Sequence, residues 1–182
     1  NMGDAEMAEL LVLHGADLGA MNENKHTIID IAACDTTYGG WGNLKLAKGD
    51  RAAVVRCLMP YIMRRDGDPR VIASRLSLLR WAAVNGEVEV ARRLLEADVD
   101  PNAASANQQW PPLMWAISSS GGNHLRDAAM RPQHRKASIE MVRLLLKHGA
   151  NPNYSDKHGR TPLKMAQDYH LDEVVPLLQA PQ

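Results

Sequence analysis

The fold is decided by residues 139–166, which read IEMVRLLLKHGANPNYSDKHGRTPLKMA. An amphipathic helix ends there in three consecutive leucines, and Gly149 follows as a residue that readily takes the left-handed conformation that ends helices. A polar turn comes next. The pair Thr161–Pro162 then opens another helix, because proline in a first turn loses no needed donor and the threonine hydroxyl can cap the helix. The stretch therefore predicts two helices joined by a polar turn.

This order of features resembles the ankyrin repeat, whose pattern runs from a leucine-rich second helix through G-A-x-x-N and a polar finger to T-P-L-x-x-A. The alanines that align in the first helix of each repeat are Ala32, Ala82, Ala116 and Ala166. Their spacings are 50, 34 and 50 residues, so the ankyrin period of about 33 appears once plainly and twice with extra residues. The resemblance implies an all-α ankyrin-repeat solenoid of about four to five helix–turn–helix repeats, with two insertions between helices.

We expect one domain over residues 1–182. Its parts are a partial repeat at 1–21, a repeat at 22–66 with an insertion at 36–49, a repeat at 67–102, a repeat at 103–153 with an insertion at 118–136, and a C-terminal repeat at 154–182. The finger before the first helix that contains Ala82 is expected at 61–74. Gly3 aligns with Gly86, which lies in the turn between the two helices of a repeat, so residues 1–21 hold only a second helix. We therefore expect an upstream helix, or another element, to cover the apolar face of Met7, Leu10 and Leu11.

The composition narrows the classes of partner. Lys+Arg and Asp+Glu both number 21, whereas a nucleic-acid or membrane-surface binder normally carries a basic excess. The two cysteines, Cys34 and Cys57, are too few for a disulfide framework, so we expect a reducing compartment, either cytoplasm or nucleus. No apolar run approaches the roughly 20 residues of a membrane span. We therefore expect neither a membrane nor a nucleic acid as partner.

Sequence motifs for catalysis are missing. The chain has no G-x-S-x-G, P-loop or Rossmann glycine pattern. His124 and His134 fall in the second insertion, but they form neither an i, i+4 pair nor an H-E-x-x-H pattern. We therefore expect no enzymatic activity, no cofactor and no metal site in this chain.

Tryptophan is the informative aromatic residue, because phenylalanine is absent and three of the four tryptophans fall at related repeat positions. Trp81 and Trp115 each precede the first-helix alanine of their repeat, and Trp110 lies on the finger before Trp115. We expect this slot to project toward the groove, so that three indoles could line one pocket. The alternative is that the rings pack on the adjacent helix, as aromatic residues at helical spacing usually do.

An indole pocket would suit a cation, and aromatic cages hold methylated ammonium groups. Residues 110–116, WPPLMWA, are similar to W-T-P-x-x-W-A in the ankyrin domains of histone-lysine methyltransferases that read methyl-lysine. In that family an acidic residue three positions after the second tryptophan completes the cage, and this position is Ser118 here. The family's third tryptophan corresponds to Met165, while this chain has Trp81 one repeat earlier. The resemblance implies a reader of a modified-lysine tail as an alternative function.

The ankyrin resemblance itself implies a protein–protein interaction module that takes a peptide or protein partner in its concave groove. A structural scaffold within a larger multidomain protein is a further alternative. Aromatic anchors carry a disproportionate share of interface energy, so the tryptophans head the predicted site. The predicted partner-binding residues are Trp81, Trp110, Trp115, Val84, Asn85, Met114, Ser118, Ser119, Asp30 and Asp35.

Overall fold

The computed structural model describes residues 4–23, 27, 29, 51–64, 69–103, 110–121 and 131–180. Within these ranges the regular structure is helical, apart from one isolated bridge between Met21 and Thr27. The helices are α1 (Asp4–Leu13), α2 (Arg51–Ile62), α3 (Pro69–Asn85), α4 (Val88–Glu96), α5 (Pro112–Gly121), α6 (Arg131–Lys147), α7 (Pro162–Asp168) and α8 (Val175–Gln179). The predicted all-α class is confirmed. The insertion at 36–49 and the residues Asp30, Asp35 and Cys34 lie outside the described residues.

The chain divides into two units, residues 1–81 and residues 82–182, and the boundary falls within α3. In unit 1, α1 packs on α2. The buried face of α2 carries Val55, Leu58, Met59 and Ile62. The apolar face of α1 remains partly open, since the exposed fraction is 45% for Met7 and 55% for Leu11 and the predicted cover is not among the described residues.

A buried arginine ends α2 where the sequence offers no glycine. Arg75 lies on α3 and is 8% exposed. Its Nε and Nη2 donate hydrogen bonds to the carbonyl of Ile62, and its Nη2 also donates to the carbonyl of Arg64 at 2.7 Å. These bonds satisfy carbonyls that the last turn of a helix leaves without a partner. The charged side chain therefore joins α2 to α3 across the short connection between them.

The finger expected at 61–74 is shorter than predicted. Helix α2 continues past Pro60 to Ile62, and α3 already begins at Pro69. Pro60 is exposed and lies within the helix, where its missing N–H removes one hydrogen bond of the ladder. Pro69 stands in the first turn of α3, where its fixed backbone angle suits a helix. The charged residues that follow Pro69 therefore belong to a helix and not to a turn.

In unit 2, α5 contacts both α6 and α7, α6 also contacts α4, and α7 contacts α8. Small and apolar residues at helical spacing fill the space between them, and each of the following is fully buried: Leu94, Leu113, Ala116, Ile117, Met141, Val142 and Leu145. This layer of helices provides the support on which the polar turn between α6 and α7 rests.

The segment predicted as the second insertion, 118–136, is helical at both ends. Helix α5 runs to Gly121 and α6 begins at Arg131. The hydroxyls of Ser119 and Ser120 both donate hydrogen bonds to the carbonyl of Ala116, at 2.9 and 2.8 Å. Serine can stay within a helix when its hydroxyl bonds back in this way. Residues 122–130, including His124, lie outside the described residues.

The residues predicted to end one helix and to begin the next do so in the structure. Gly149 has a φ of 86°, and the amide of Ala150 donates to the carbonyl of Leu145, which ends α6 in the expected left-handed turn. The hydroxyl of Thr161 accepts a hydrogen bond from the amide of Lys164 at 3.2 Å, with Pro162 following it. These two ends fix where the polar turn between α6 and α7 starts and stops.

Candidate functional site

Two tryptophans meet at the start of α5. Trp110 lies just before the helix and Trp115 lies in it, with ring centroids 5.1 Å apart and ring planes inclined by 62°. This edge-to-face arrangement places the positive edge of one ring against the negative face of the other. Trp110 is 9% exposed and Trp115 is 4% exposed. The pair is therefore part of the interior of unit 2.

A buried carboxylate from the next polar turn binds to the indole of Trp110. Nε1 of Trp110 donates a hydrogen bond to Oδ2 of Asp156 at 2.9 Å. The other oxygen, Oδ1, accepts hydrogen bonds from the amides of His158 and Arg160 at 2.8 and 2.9 Å. The amide of Asp156 in turn donates to the carbonyl of Arg160. One side chain thus closes its own turn and attaches that turn to the tryptophan 46 residues earlier.

These contacts determine the charge state of Asp156. Burial alone would raise its pKa, because it disfavours the charged form. The hydrogen bonds donated by Trp110, by the amides of Arg160 and His158 and by the Arg160 side chain outweigh burial and hold the pKa of Asp156 well below its ordinary value. The carboxylate therefore remains ionised throughout the neutral range.

Arg160 completes the cluster. Its Nε donates to Oδ2 of Asp156 at 2.7 Å, and its guanidinium carbon lies 4.8 Å from the centre of the Trp110 ring. A guanidinium over an indole face is attracted by the negative charge density of the ring. The Arg160 side chain is nevertheless 46% exposed, while the side chain of Asp156 is 1% exposed. The arginine thus covers the indole and presents its outer edge to solvent.

The exposed residues around Arg160 form what we term the finger surface, defined as Lys157, His158, Arg160 and Lys164. Three belong to the turn closed by Asp156, and Lys164 lies in the first turn of α7. The finger surface is therefore polar, accessible and attached at its base to the tryptophan pair.

A second set of bonds fixes the neighbouring turn. Nδ2 of Asn102 donates to the carbonyl of Gly149 at 2.9 Å, and its Oδ1 accepts from the amide of Asn151 at 2.7 Å. Oδ1 of Asn151 then accepts from the amide of Asn153. Asn102 follows α4 and Gly149 follows α6, so one amide side chain connects the ends of two successive second helices.

The predicted site residues differ in how exposed they are to solvent. Met114, Ser118 and Ser119 are buried, as are all three tryptophans, with Trp81 at 5% exposure within unit 1. Val84 is half-buried and Asn85 is exposed. Asp30 and Asp35 lie outside the described residues. The prediction that these residues contact a partner stays a prediction, and Val84 and Asn85 are its described members that are not buried.

Sequence reasoning missed Asp156 and Arg160. Both lie in the polar turn, which was interpreted only as a connection between helices. The available signal was an aspartate four residues before an arginine in the repeat that follows two tryptophans. Only the fold reveals that the aspartate and Trp110 meet, because they are 46 residues apart in the sequence.

Within the described ranges, no group of three or more His, Cys, Asp or Glu side chains is placed to hold a metal ion. No helix in the described part of the chain has the length and apolar character needed to cross a membrane. Cys57 is a free thiol whose pKa is raised by burial and by nearby Glu9.

Comparisons with known proteins identify the family. The family described as "Ankyrin repeats (many copies)" matches residues 79–130 and 125–167. The cyclin-dependent kinase 4 inhibitor B of Rattus norvegicus is 30% identical over 117 residues, which cover 56% of this chain and 90% of the inhibitor. The chain belongs to the ankyrin repeat family. Proteins of this family generally act as non-catalytic modules for protein–protein interaction.

Two further proteins that this ankyrin repeat chain resembles come from bacteria. The ankyrin repeat protein YahD of Escherichia coli is 34% identical over 100 residues, covering 54% of this chain and 43% of YahD. An ankyrin repeat domain from Acinetobacter baumannii, known from its crystal structure, superposes with a TM-score of 0.62 at 26% identity and covers 96% of this chain and 74% of that domain. The predicted ankyrin-repeat fold is confirmed.

Some relatives of this ankyrin repeat chain are enzymes. In two of them the match covers 13% and 11% of the enzyme. The chain therefore spans less than half the length of the first curated relatives it matches.

Proposed function

We propose that this chain is a protein-binding module and that unit 2 receives a segment of a partner protein on the finger surface. The supporting observation is that the finger surface is exposed while its base is fixed through Asp156 to the buried indole of Trp110. A loop that is already ordered loses less conformational entropy when a partner binds. The partner would therefore meet a preformed surface.

In this proposal the tryptophans support the site from beneath. Trp110 and Trp115 are almost fully buried, so their contribution to binding is to hold Arg160 and the turn in position. Val84 and Asn85, which are accessible members of the predicted site, extend the region that a partner could contact in unit 2. The rat relative is named as an inhibitor of a protein kinase, which supports a protein as the class of partner.

The proposal is tested by selecting peptides and locating where they bind. A phage library of random 12-residue peptides is panned on the immobilised chain, and the most enriched peptide is synthesised. Amide hydrogen exchange is then measured by mass spectrometry with and without this peptide. We expect slower exchange in residues 154–164 and unchanged exchange in α4, which serves as the internal control. A library that yields no binder, or slower exchange confined to regions outside 154–164, would overturn the proposal.

The methyl-lysine hypothesis requires that the ring of Trp110 be accessible to a ligand. A cage needs an open ring face, and Arg160 lies over the face of Trp110, so a methylated lysine would have to displace this guanidinium. A reader would bind a trimethyl-lysine peptide more tightly than the same peptide with unmodified lysine, and would do so more strongly after Arg160→Ala. Equal affinities in both proteins would argue against a reader.

The scaffold alternative differs in what a surface substitution does. If the repeats only hold neighbouring domains, replacing an exposed residue such as Lys157 changes neither peptide binding nor the free energy of unfolding. If the finger surface is a binding site, the same substitution weakens binding of the selected peptide while the unfolding free energy stays unchanged. The two readouts together separate these functions.

A further inference from the structure

We propose that the partner segment is acidic and that Arg160 binds one of its carboxylates. This inference rests on the proposed function of the finger surface and specifies the chemistry of its partner. It is carried by three features of Arg160, namely the edge of the guanidinium that remains open, the fixation of its side chain and the charge around it.

The open edge has the geometry of a carboxylate receptor. A guanidinium can offer two parallel N–H bonds to a carboxylate along its Nη1–Nη2 edge. Asp156 takes only Nε of Arg160, and in the described part of the chain no other group bonds to the side chain. Asp156 thus leaves the two terminal nitrogens of Arg160 available to a further acceptor. A carboxylate from a partner fits this edge without breaking the bond to Asp156.

The side chain is also held in one place. Its Nε is bonded to a buried carboxylate, its plane lies over Trp110, and its backbone closes the turn with Asp156. A free surface arginine would lose rotamer freedom on binding, and this loss weakens exposed ion pairs. Arg160 has already lost that freedom in the folded chain, so more of its interaction with a carboxylate appears as affinity.

The surrounding charges favour an anion. Residues 156–164 contain three cations, Lys157, Arg160 and Lys164, and one carboxylate, Asp156. The carboxylate is buried and already bonded, whereas the three cations are exposed. Asp168, one turn beyond Lys164 on α7, is the next exposed acid along the chain. An acidic segment would thus be attracted before contact and held by Arg160 after it.

The test uses the peptides selected on the whole chain. We expect the enriched sequences to be rich in Asp and Glu, and the most enriched peptide to lose at least about tenfold in affinity when its acids are replaced by Asn and Gln. Fluorescence anisotropy measures each dissociation constant. Arg160→Gln should weaken binding about tenfold, the loss typical of one charge-assisted hydrogen bond. Arg160→Lys should also weaken it, because lysine keeps the charge but lacks the two-pronged edge.

The matched control is Arg93→Gln on α4, which removes another exposed arginine that pairs with a carboxylate, Glu89. It should leave the dissociation constant unchanged. Since Arg160→Gln also removes a contact of Asp156, the double variant Lys157→Gln/Lys164→Gln provides a second readout that spares the turn's internal bonds. We expect it to weaken binding about threefold and to reduce the dependence on salt concentration.

The outcomes separate the two proposals. Enriched peptides without acids, or equal losses for Arg160→Gln and Arg93→Gln, would overturn the acidic-partner inference and leave the proposed function standing. If circular dichroism shows Arg160→Gln to be unfolded, unchanged binding by the lysine double variant overturns the inference instead. A selection without any binder would overturn the proposed function itself.

Discussion

Replacing Asp156 by alanine tests the part of the structure on which both proposals depend. The side chain is 1% exposed and accepts hydrogen bonds from the indole of Trp110, from two backbone amides and from Arg160. Alanine removes all four acceptor contacts at once. We expect the polar turn to detach from Trp110 and the chain to become less stable.

The loss of stability depends on which of the four hydrogen-bond donors can bond to water once Asp156 is replaced. The buried N–H of Trp110 has no solvent nearby, and a buried donor left without an acceptor costs about 1–3 kcal/mol. The amides of His158 and Arg160 belong to exposed residues and can be hydrated, so each loss is about 0.5 kcal/mol. The half-exposed pair with Arg160 adds at most about 1 kcal/mol. We therefore expect Asp156→Ala to lower the free energy of unfolding by about 2–5 kcal/mol.

Urea unfolding followed by circular dichroism measures this loss, with Asp168→Ala as the control. Asp168 is an exposed acid of α7, and its replacement should change stability by less than about 0.5 kcal/mol. The pH dependence supplies a second readout. The folded pKa of Asp156 lies below the unfolded value of about 3.9, so the unfolded chain takes up the proton first and stability falls as pH drops below that value.

The difference between the native chain and Asp156→Ala should consequently shrink on acidification below about pH 4, because the variant has no such proton to bind. A loss of less than about 0.5 kcal/mol at neutral pH, or a difference that stays constant down to low pH, would refute the view that this carboxylate holds the turn.

Two further predictions concern the ends of the helices. Gly86→Ala should lower the free energy of unfolding by about 2–4 kcal/mol, because φ is 69° there and the new Cβ would lie 3.0 Å from the Cβ of Ala137. Gly149 has a φ of 86° but no atom within 4 Å of the new Cβ. Gly149→Ala should therefore cost only about 1–2 kcal/mol of backbone strain. Equal urea midpoints for the two variants would contradict this. Asn102→Ala should cost about 1–2 kcal/mol by removing both bonds to the end of α6, and Asn102→Asp, which keeps an acceptor for the amide of Asn151, should still lose the bond to the carbonyl of Gly149. Losses of less than about 0.5 kcal/mol for both variants in urea titrations would show that the amide does not bridge the two turns.

Local rules predicted much of the fold. Gly149 and the Thr161–Pro162 pair could be interpreted from single residues, because the left-handed turn and the hydroxyl cap depend on only a few neighbouring backbone atoms. The helical period of the leucines likewise needed no tertiary information. The start of α3 at Pro69 was missed, because residues 61–74 were expected to form one finger and the buried contacts of Arg75 that favour a helix there come from the end of another helix.

The candidate site was harder to predict because its key contacts are distant in sequence. The tryptophans were expected at a groove from their repeat position, yet the accessibility of Trp110 depends on whether Asp156 and Arg160 cover it. Neither residue departs from what a polar turn normally contains. Their role arises only when two successive repeats pack, which composition and periodicity do not describe.

The edge-to-face tryptophan pair gives the protein an optical reporter of its own. The transitions of two indoles 5.1 Å apart couple, and the guanidinium protons of Arg160 lie in the ring-current field of Trp110. Movement of the polar turn would therefore change the near-ultraviolet circular dichroism and shift the arginine resonances, so that events at its surface can be followed in the native chain without an attached label.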